Sequence, residues 1–261
     1  MDNPLVANVD ITSHVAEFVD QYLYFALVSR NWRRAWGQRP TVTGKVTRDT
    51  SVSQLSQSFE YGWARANGCP WDTRTCRWAA VQGHLDILQW VRDNGCPWDE
   101  GTCAGAAEGG NLAVLQWARA NGCPGDSRTC SAAAGGGHLG ILQWARASGI
   151  PWDLSTCKRA AGGGHLTVLQ WARANGCPWN KQTCWRAAEG GHLDVLKWVR
   201  ENDCPWDEGT TALAAAGGHL DILQWARANG CPWDEDTCTW AAARGHLVVI
   251  QWARANGCPW D

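Results

Sequence analysis

An excess of charge of either sign is missing: 23 Lys and Arg stand against 25 Asp and Glu, for a net charge of −2. A chain this balanced has no basic field of the kind that nucleic acid or an anionic membrane surface attracts, so neither partner is favoured. No stretch approaches the roughly 18 consecutive apolar residues of a membrane span, and no basic segment leads into an apolar core near the N-terminus. A soluble, intracellular protein is expected. Catalytic signatures are missing as well. There is no nucleophile beside a base and no carboxylate pair, and the Gly-Gly-Gly-His runs at 135–138 and 162–165 lack the Lys-Ser/Thr that completes a phosphate loop. The chain therefore reads as non-enzymatic, with no cofactor expected.

What is present is a phrase. Asn-Gly-Cys-Pro-Trp-Asp, with small variations, begins at Asn67, Asn94, Asn121, Ser148, Asn175, Asn202, Asn229 and Asn256, a period of 27 residues without insertion or deletion. A fixed period of this size is the mark of stacked repeats, each burying its apolar face only against its neighbours. Seven full copies and the start of an eighth fill residues 67–261. The eighth breaks off at Trp260-Asp261, and the exposed end is expected to be covered by further repeats or by self-association.

In the copy from Asn67 to Asp93, Thr75 is placed to cap a first helix of about two turns through Ala79 and Ala80. Gly83 ends it and recurs as Gly110, Gly137, Gly164, Gly191, Gly218 and Gly245, which predicts a turn with positive φ. A second helix follows from about His84 to Asp93, with Leu85, Leu88 and Val91 at helical spacing. Helices this short are marginal alone and must gain stability from packing. Of the 20 Trp, seven fall in the second helices and seven in the Cys-Pro-Trp turn, where rings at fixed positions read as filling of the stack. Gly125 replaces Trp in the third copy and predicts a local notch. The recurring arginine, Arg92 through Arg254, is expected to pair with the Asp after the turn or to stack on a Trp.

The 13 Cys all sit at the third and tenth repeat positions. Equivalent residues of stacked units stand roughly 8–10 Å apart, beyond the roughly 7 Å reach of a disulfide, so ladder disulfides are not expected. Cys69, Cys76 and His84 invite a zinc reading, but they lack the paired spacing of structural zinc sites. Three copies each replace a different candidate, with Asn111, Ile150 and Thr211, so no metal is expected.

The string Thr75-Cys76-Arg77-Trp78-Ala79-Ala80-Val81-Gln82-Gly83-His84-Leu85, repeated at Thr183 to Leu193 and Thr237 to Leu247, resembles the core of the ankyrin repeat. That resemblance implies an all-α, ankyrin-like solenoid of helix-turn-helix units that binds other proteins. The unit is shorter than the roughly 33 residues of an ankyrin repeat, and the missing residues fall where that family has its β-hairpin finger, so a tight loop is expected in its place. Ahead of the array, Val15-Ala16-Glu17-Phe18-Val19 and Tyr24 to Trp36 resemble a degenerate F-box without its Leu-Pro opening. The likeness implies binding of a Skp1-type adaptor through Phe25, Leu27, Val28 and Trp32, with the array presenting a ubiquitylation target. Residues 1–40 are read as this segment or as a helical cap, and 41–66 as a degenerate repeat.

In such an array the positions that recur build the scaffold and those that differ are free to recognise something. The differing positions fall mostly before or on the first helix, the side that lines the concave surface in ankyrin-like stacks. They hold Thr73, Arg74, Arg77 and Trp78 in the first copy, Arg128 in the third, and Lys158 with Arg159 in the fourth. Lys181, Gln182, Trp185 and Arg186 follow in the fifth, Glu208 in the sixth, and Glu235, Asp236 and Trp240 in the seventh. The expected groove is basic from its start to its middle and acidic near its end, with Trp78, Trp185 and Trp240 as anchors for a protein partner. An F-box-type substrate-recognition subunit and a structural spacer without a defined partner are the alternatives.

Overall fold

The computed structural model describes residues 71–259. The F-box-like segment, with Phe25, Leu27, Val28 and Trp32, and the degenerate repeat at 41–66 lie outside the described residues. Seven first helices alternate with seven second helices, and no strand occurs among the described residues. The first helices are α1 (Thr73–Val81), α3 (Glu100–Glu108), α5 (Ser127–Gly135), α7 (Leu154–Gly162), α9 (Lys181–Glu189), α11 (Glu208–Ala216) and α13 (Glu235–Ala243). The second helices are α2 (Leu85–Asp93), α4 (Leu112–Ala120), α6 (Leu139–Ala147), α8 (Leu166–Ala174), α10 (Leu193–Glu201), α12 (Leu220–Ala228) and α14 (Leu247–Ala255). The fold is an ankyrin-like helical solenoid, and the loop from Asn94 to Asp99 replaces a hairpin finger with a tight connection.

Each first helix packs on the first helix of the next copy, so α1, α3, α5, α7, α9, α11 and α13 form one row. The sequence permits this closeness because the facing side chains are small: Cys76, Ala80, Cys103, Ala107, Cys157, Ala160 and Ala161 are all fully buried. Each second helix packs on the first helix of its own copy through larger groups such as Leu88 and Val91. Burying one such side chain contributes about 1.5–3 kcal/mol, which a nine-residue helix alone in water cannot supply.

The first helix begins earlier than its threonine suggests. Asp72, Asp99, Asp126, Asp153, Asn180 and Asp207 stand at the N-cap, and each side chain accepts a hydrogen bond from the second backbone N–H of its helix. Thr75 lies inside α1, and its counterparts Thr102, Thr129, Thr156, Thr183 and Thr210 are fully buried. Asp and Thr are both good caps; the extended backbone of the loop presents Asp first.

With the aspartates engaged as caps, the recurring arginines turn to tryptophan. The Arg92 guanidinium lies 4.0 Å from the centre of the Trp98 ring, and its Nη1 donates to the Cys96 carbonyl. Trp98, which belongs to the next copy, in turn meets Trp117 of its own copy edge to face at 5.8 Å. The same set recurs from Arg146 through Trp152 and Trp171 to Arg227, Trp233 and Trp252. Gly125 removes one ring from this ladder. Ile150, which stands where other copies have Cys, occupies part of the space: its Cδ1 and the Arg119 stem would lie 3.3 and 3.4 Å from a Cβ placed at Gly125. Ile150 is fully buried, so two departures in adjacent copies compensate each other.

All twelve described cysteines are free and buried. The partner of a tenth-position Cys is the third-position residue of the next copy, 20 residues on rather than 27: a Cys for Cys76, Cys103, Cys157 and Cys184, and Ile150 for Cys130. Third-position thiols point at the preceding cap, as where Cys123 Sγ donates to the Asp99 carbonyl at 3.3 Å. Burial pushes Cys130 up to about 12, so it stays a thiol. Thr211, standing for Cys, donates instead to the Glu208 and Pro232 carbonyls. Among the described residues no group of three or more His, Cys, Asp or Glu is placed to hold a metal ion.

Candidate partner-binding face

Two features set the boundary of the candidate face, and the first is a seam that joins copies. Gly83 and its six counterparts all adopt positive φ, from 72° to 81°, as the turn requires. The histidine that follows does not cap its own helix. His138 Nε2 bonds to the Glu108 carbonyl at 3.1 Å, and His165, His192, His219 and His246 repeat this toward Gly135, Gly162, Glu189 and Ala216. Each ring thus satisfies the unpaired carbonyls at the end of the preceding copy's first helix. Asn111 keeps the same bond with its amide, donating to Ala80 and Val81 carbonyls at 2.9 and 2.8 Å. The Gly-Gly-His runs make room for the ring: a Cβ at Gly190 would lie 2.7 Å from both the Gly162 carbonyl and His192.

The second feature is the solvent-facing side of the first-helix row. The differing residues do fall there, but the structure engages several within the scaffold. Arg74 is bound to its own cap Asp72 at 2.6 Å, and Arg128 is bound between Asp126 at 2.8 Å and Glu100 of the preceding copy. Those bonds lower the Asp72 carboxyl and raise the Arg128 guanidinium from their ordinary values. Arg77 reaches Glu108 at 3.2 Å. Trp185 is half-buried: its indole N–H donates to Asp207 at 2.6 Å, and its ring covers Gly209 of the next copy. Lys181 closes that group, 2.7 Å from Asp207 and 5.2 Å from the Trp185 ring centre.

Other residues are more exposed, although Arg186 is paired with Glu189 at 2.7 Å. Arg159, Arg186, Glu208, Glu235 and Asp236 are exposed, and Trp240 is 44% exposed. Trp78, Lys158 and Gln182 are half-buried. Lys158, Arg159 and Arg186 come together around one cavity of about 710 Å³, which also meets Glu108 and Glu189. Those two glutamates were missed as groove residues. Their signal was present, since the fifteenth repeat position holds Val81, Glu108, Gly135, Gly162, Glu189, Ala216 and Ala243. Arg74, Arg128, Glu208, Glu235 and Asp236 lie outside that cavity, at the N-terminal turns of their helices.

No helix among the described residues is long and apolar enough to cross a membrane. No protein-family model matches the sequence, and no curated protein matches it. The structure is similar to the crystal structure of the human ASB11 ankyrin repeat domain, with a TM-score of 0.52 and 17% sequence identity over 71% of this chain and 99% of that one. At that identity the likeness is one of fold, and the fold it shows is the ankyrin repeat.

Proposed function

We propose that the array is a non-enzymatic protein-interaction scaffold that binds a partner protein across the exposed side of its first helices. One observation carries this reading: the copies repeat the cysteine, tryptophan and histidine-edge contacts of the stack with few departures and disagree on that side, where Arg159, Arg186 and Trp240 stand exposed. Arg and Trp are the types most enriched at binding hot spots, and a surface maintained only for solubility has no use for an exposed Trp. An ankyrin-like stack supplies the extended side on which such residues act together.

The test is affinity capture with the whole chain and with an Arg186→Ala, Trp240→Ala double variant. A partner protein retained by the first and lost by the second is expected, with melting temperatures agreeing to within about 2 °C because both side chains lie on the surface. Equal capture by both chains, or retention of no protein at all, would remove the reading.

A further inference from the structure

The following rests on the reading just given and assigns a chemistry to one part of the face. Between α5 and α9 the first-helix row sinks into the cavity of about 710 Å³. Its floor exists because α5 carries Ala132 and Gly135, and α7 ends in Gly162, at repeat positions where the copies beside them carry Arg159 and Arg186 or Glu108 and Glu189. Arg159 and Arg186 stand at its rim. A Cβ at Gly135 would lie 3.3 Å from Arg159 Cβ, and one at Gly162 would lie 3.4 Å from Arg186 Cβ, so each arginine stem runs over a glycine of the preceding helix.

The charges around the cavity are not equally available. Arg186 is held by Glu189 at 2.7 Å, and Glu108 by Arg77 at 3.2 Å. Arg159 makes no ion pair or side-chain hydrogen bond among the described residues, and Lys158 only feels the Asp153 carboxylate at a distance. The open charge is therefore positive. A planar guanidinium without a partner can hold a carboxylate or a phosphate through two parallel hydrogen bonds, and the single charge of a carboxylate suits this cavity better. Phosphate fits less well. The cavity is walled by the C-terminal ends of α5, α7 and α9, whose carbonyl ends carry partial negative charge, and by Glu108 and Glu189.

We propose that this cavity is the subsite for an acidic segment of the partner protein, an extended chain whose carboxylates pair with Arg159 and Lys158 while its backbone lies over the floor formed by Ala132, Gly135 and Gly162. The small residues admit a main chain where a side chain on α5 would block it. The unpaired cations give that chain its direction and make its binding fall with added salt.

The probe is a library of displayed linear random peptides, selected on the whole purified chain. Selected sequences are then synthesised and measured against the wild type, a Lys158→Glu, Arg159→Glu variant, an Arg159→Gln variant and Trp240→Ala. Enrichment of Asp and Glu is expected, with affinity lower by about tenfold or more in the double variant and by a smaller factor in Arg159→Gln, while melting temperatures hold. Exchange of the peptide's Asp and Glu for Asn and Gln should cause the same loss. Selected peptides without acidic bias, or acidic peptides indifferent to both variants at Arg159, would overturn the subsite. Should such peptides still lose affinity in Trp240→Ala, the binding face stands and only the subsite falls; a library that yields no binder removes both.

Discussion

The turn edge of the first helices and their exposed side lie within a few residues of each other, yet the copies treat them in opposite ways. At the edge, five histidines bond back to the preceding copy, and Asn111, the departure, preserves the bond. On the side, α5 presents Ala132, α7 Arg159, α9 Arg186 and α13 Trp240. The difference shows where the stack draws its coupling. Each helix is too short to persist alone, so a residue that ties one copy to the next acts on the whole array, while a residue on the open side acts on its own copy.

The sharpest way to break that contrast is to fill the edge. Gly190→Ala places a methyl 2.7 Å from the Gly162 carbonyl and from His192, and neither the helix end nor a ring packed between copies can yield without a shift. A loss of about 3 kcal/mol is expected by urea denaturation, with the single transition splitting as the copies on either side uncouple. Removing the staple itself should cost less. His192→Ala leaves the Gly162 carbonyl without its partner, for about 1 kcal/mol, and His192→Asn should restore most of it because Asn111 makes that bond naturally. If the asparagine variant is no better than alanine, the ring's packing rather than its bond holds the edge.

A smaller change runs the other way. Asp203 is the one non-glycine with positive φ among the described residues, at 61°, where other copies place Gly95, Gly122, Gly149, Gly176, Gly230 and Gly257. Asp203→Gly relieves a left-handed backbone and should stabilise the chain by about 1 kcal/mol or less, read as a higher denaturant midpoint at unchanged slope. A neutral or destabilising result would mean that the Asp side chain makes good its own strain.

How much of this was legible in the sequence follows from how local each feature is. The turn at Gly83 and the helix of Leu85, Leu88 and Val91 are decided within one copy, so the repeat and its helices could be read directly. Contacts that join copies could not. Nothing in a single unit tells that His138 reaches the carbonyl of Glu108, or that Cys103 faces Cys123 rather than Cys130. The choice between Asp72 and Thr75 as cap depended on loop geometry, and so did the choice of Arg92 between an aspartate and a ring. For the candidate side, the differing positions were visible, but Trp185 and Arg128 look alike in sequence to Trp240 and Arg159. Only their distances from Asp207 and Glu100 separate side chains already engaged from those left open.

The smallest expected effect compares one position in two adjacent copies. Asp207 caps α11, and although burial alone would raise its carboxyl, bonds from Lys181 and Trp185 bring it below the ordinary carboxylate range. Asp234 stands at the same place before α13 without a cap bond; its Oδ1 is buried and unpartnered, and burial followed by the charges of Asp236, Glu235 and Glu208 raises it. The signs are opposite. The Asp207 contribution is present above the unfolded carboxylate value and is lost as pH falls through its lower folded value. At Asp234 the folded chain holds a proton more readily than the unfolded one, so its penalty is present at neutral pH and relieved as pH falls through the raised folded value toward about 4. Asp234→Asn, the cap residue that Asn180 already provides in α9, should therefore stabilise the chain by a few tenths of a kcal/mol at neutral pH, and the gain should vanish near pH 4. A variant less stable than wild type at neutral pH would show that the carboxylate caps α13 after all, and would place the two copies in the same state.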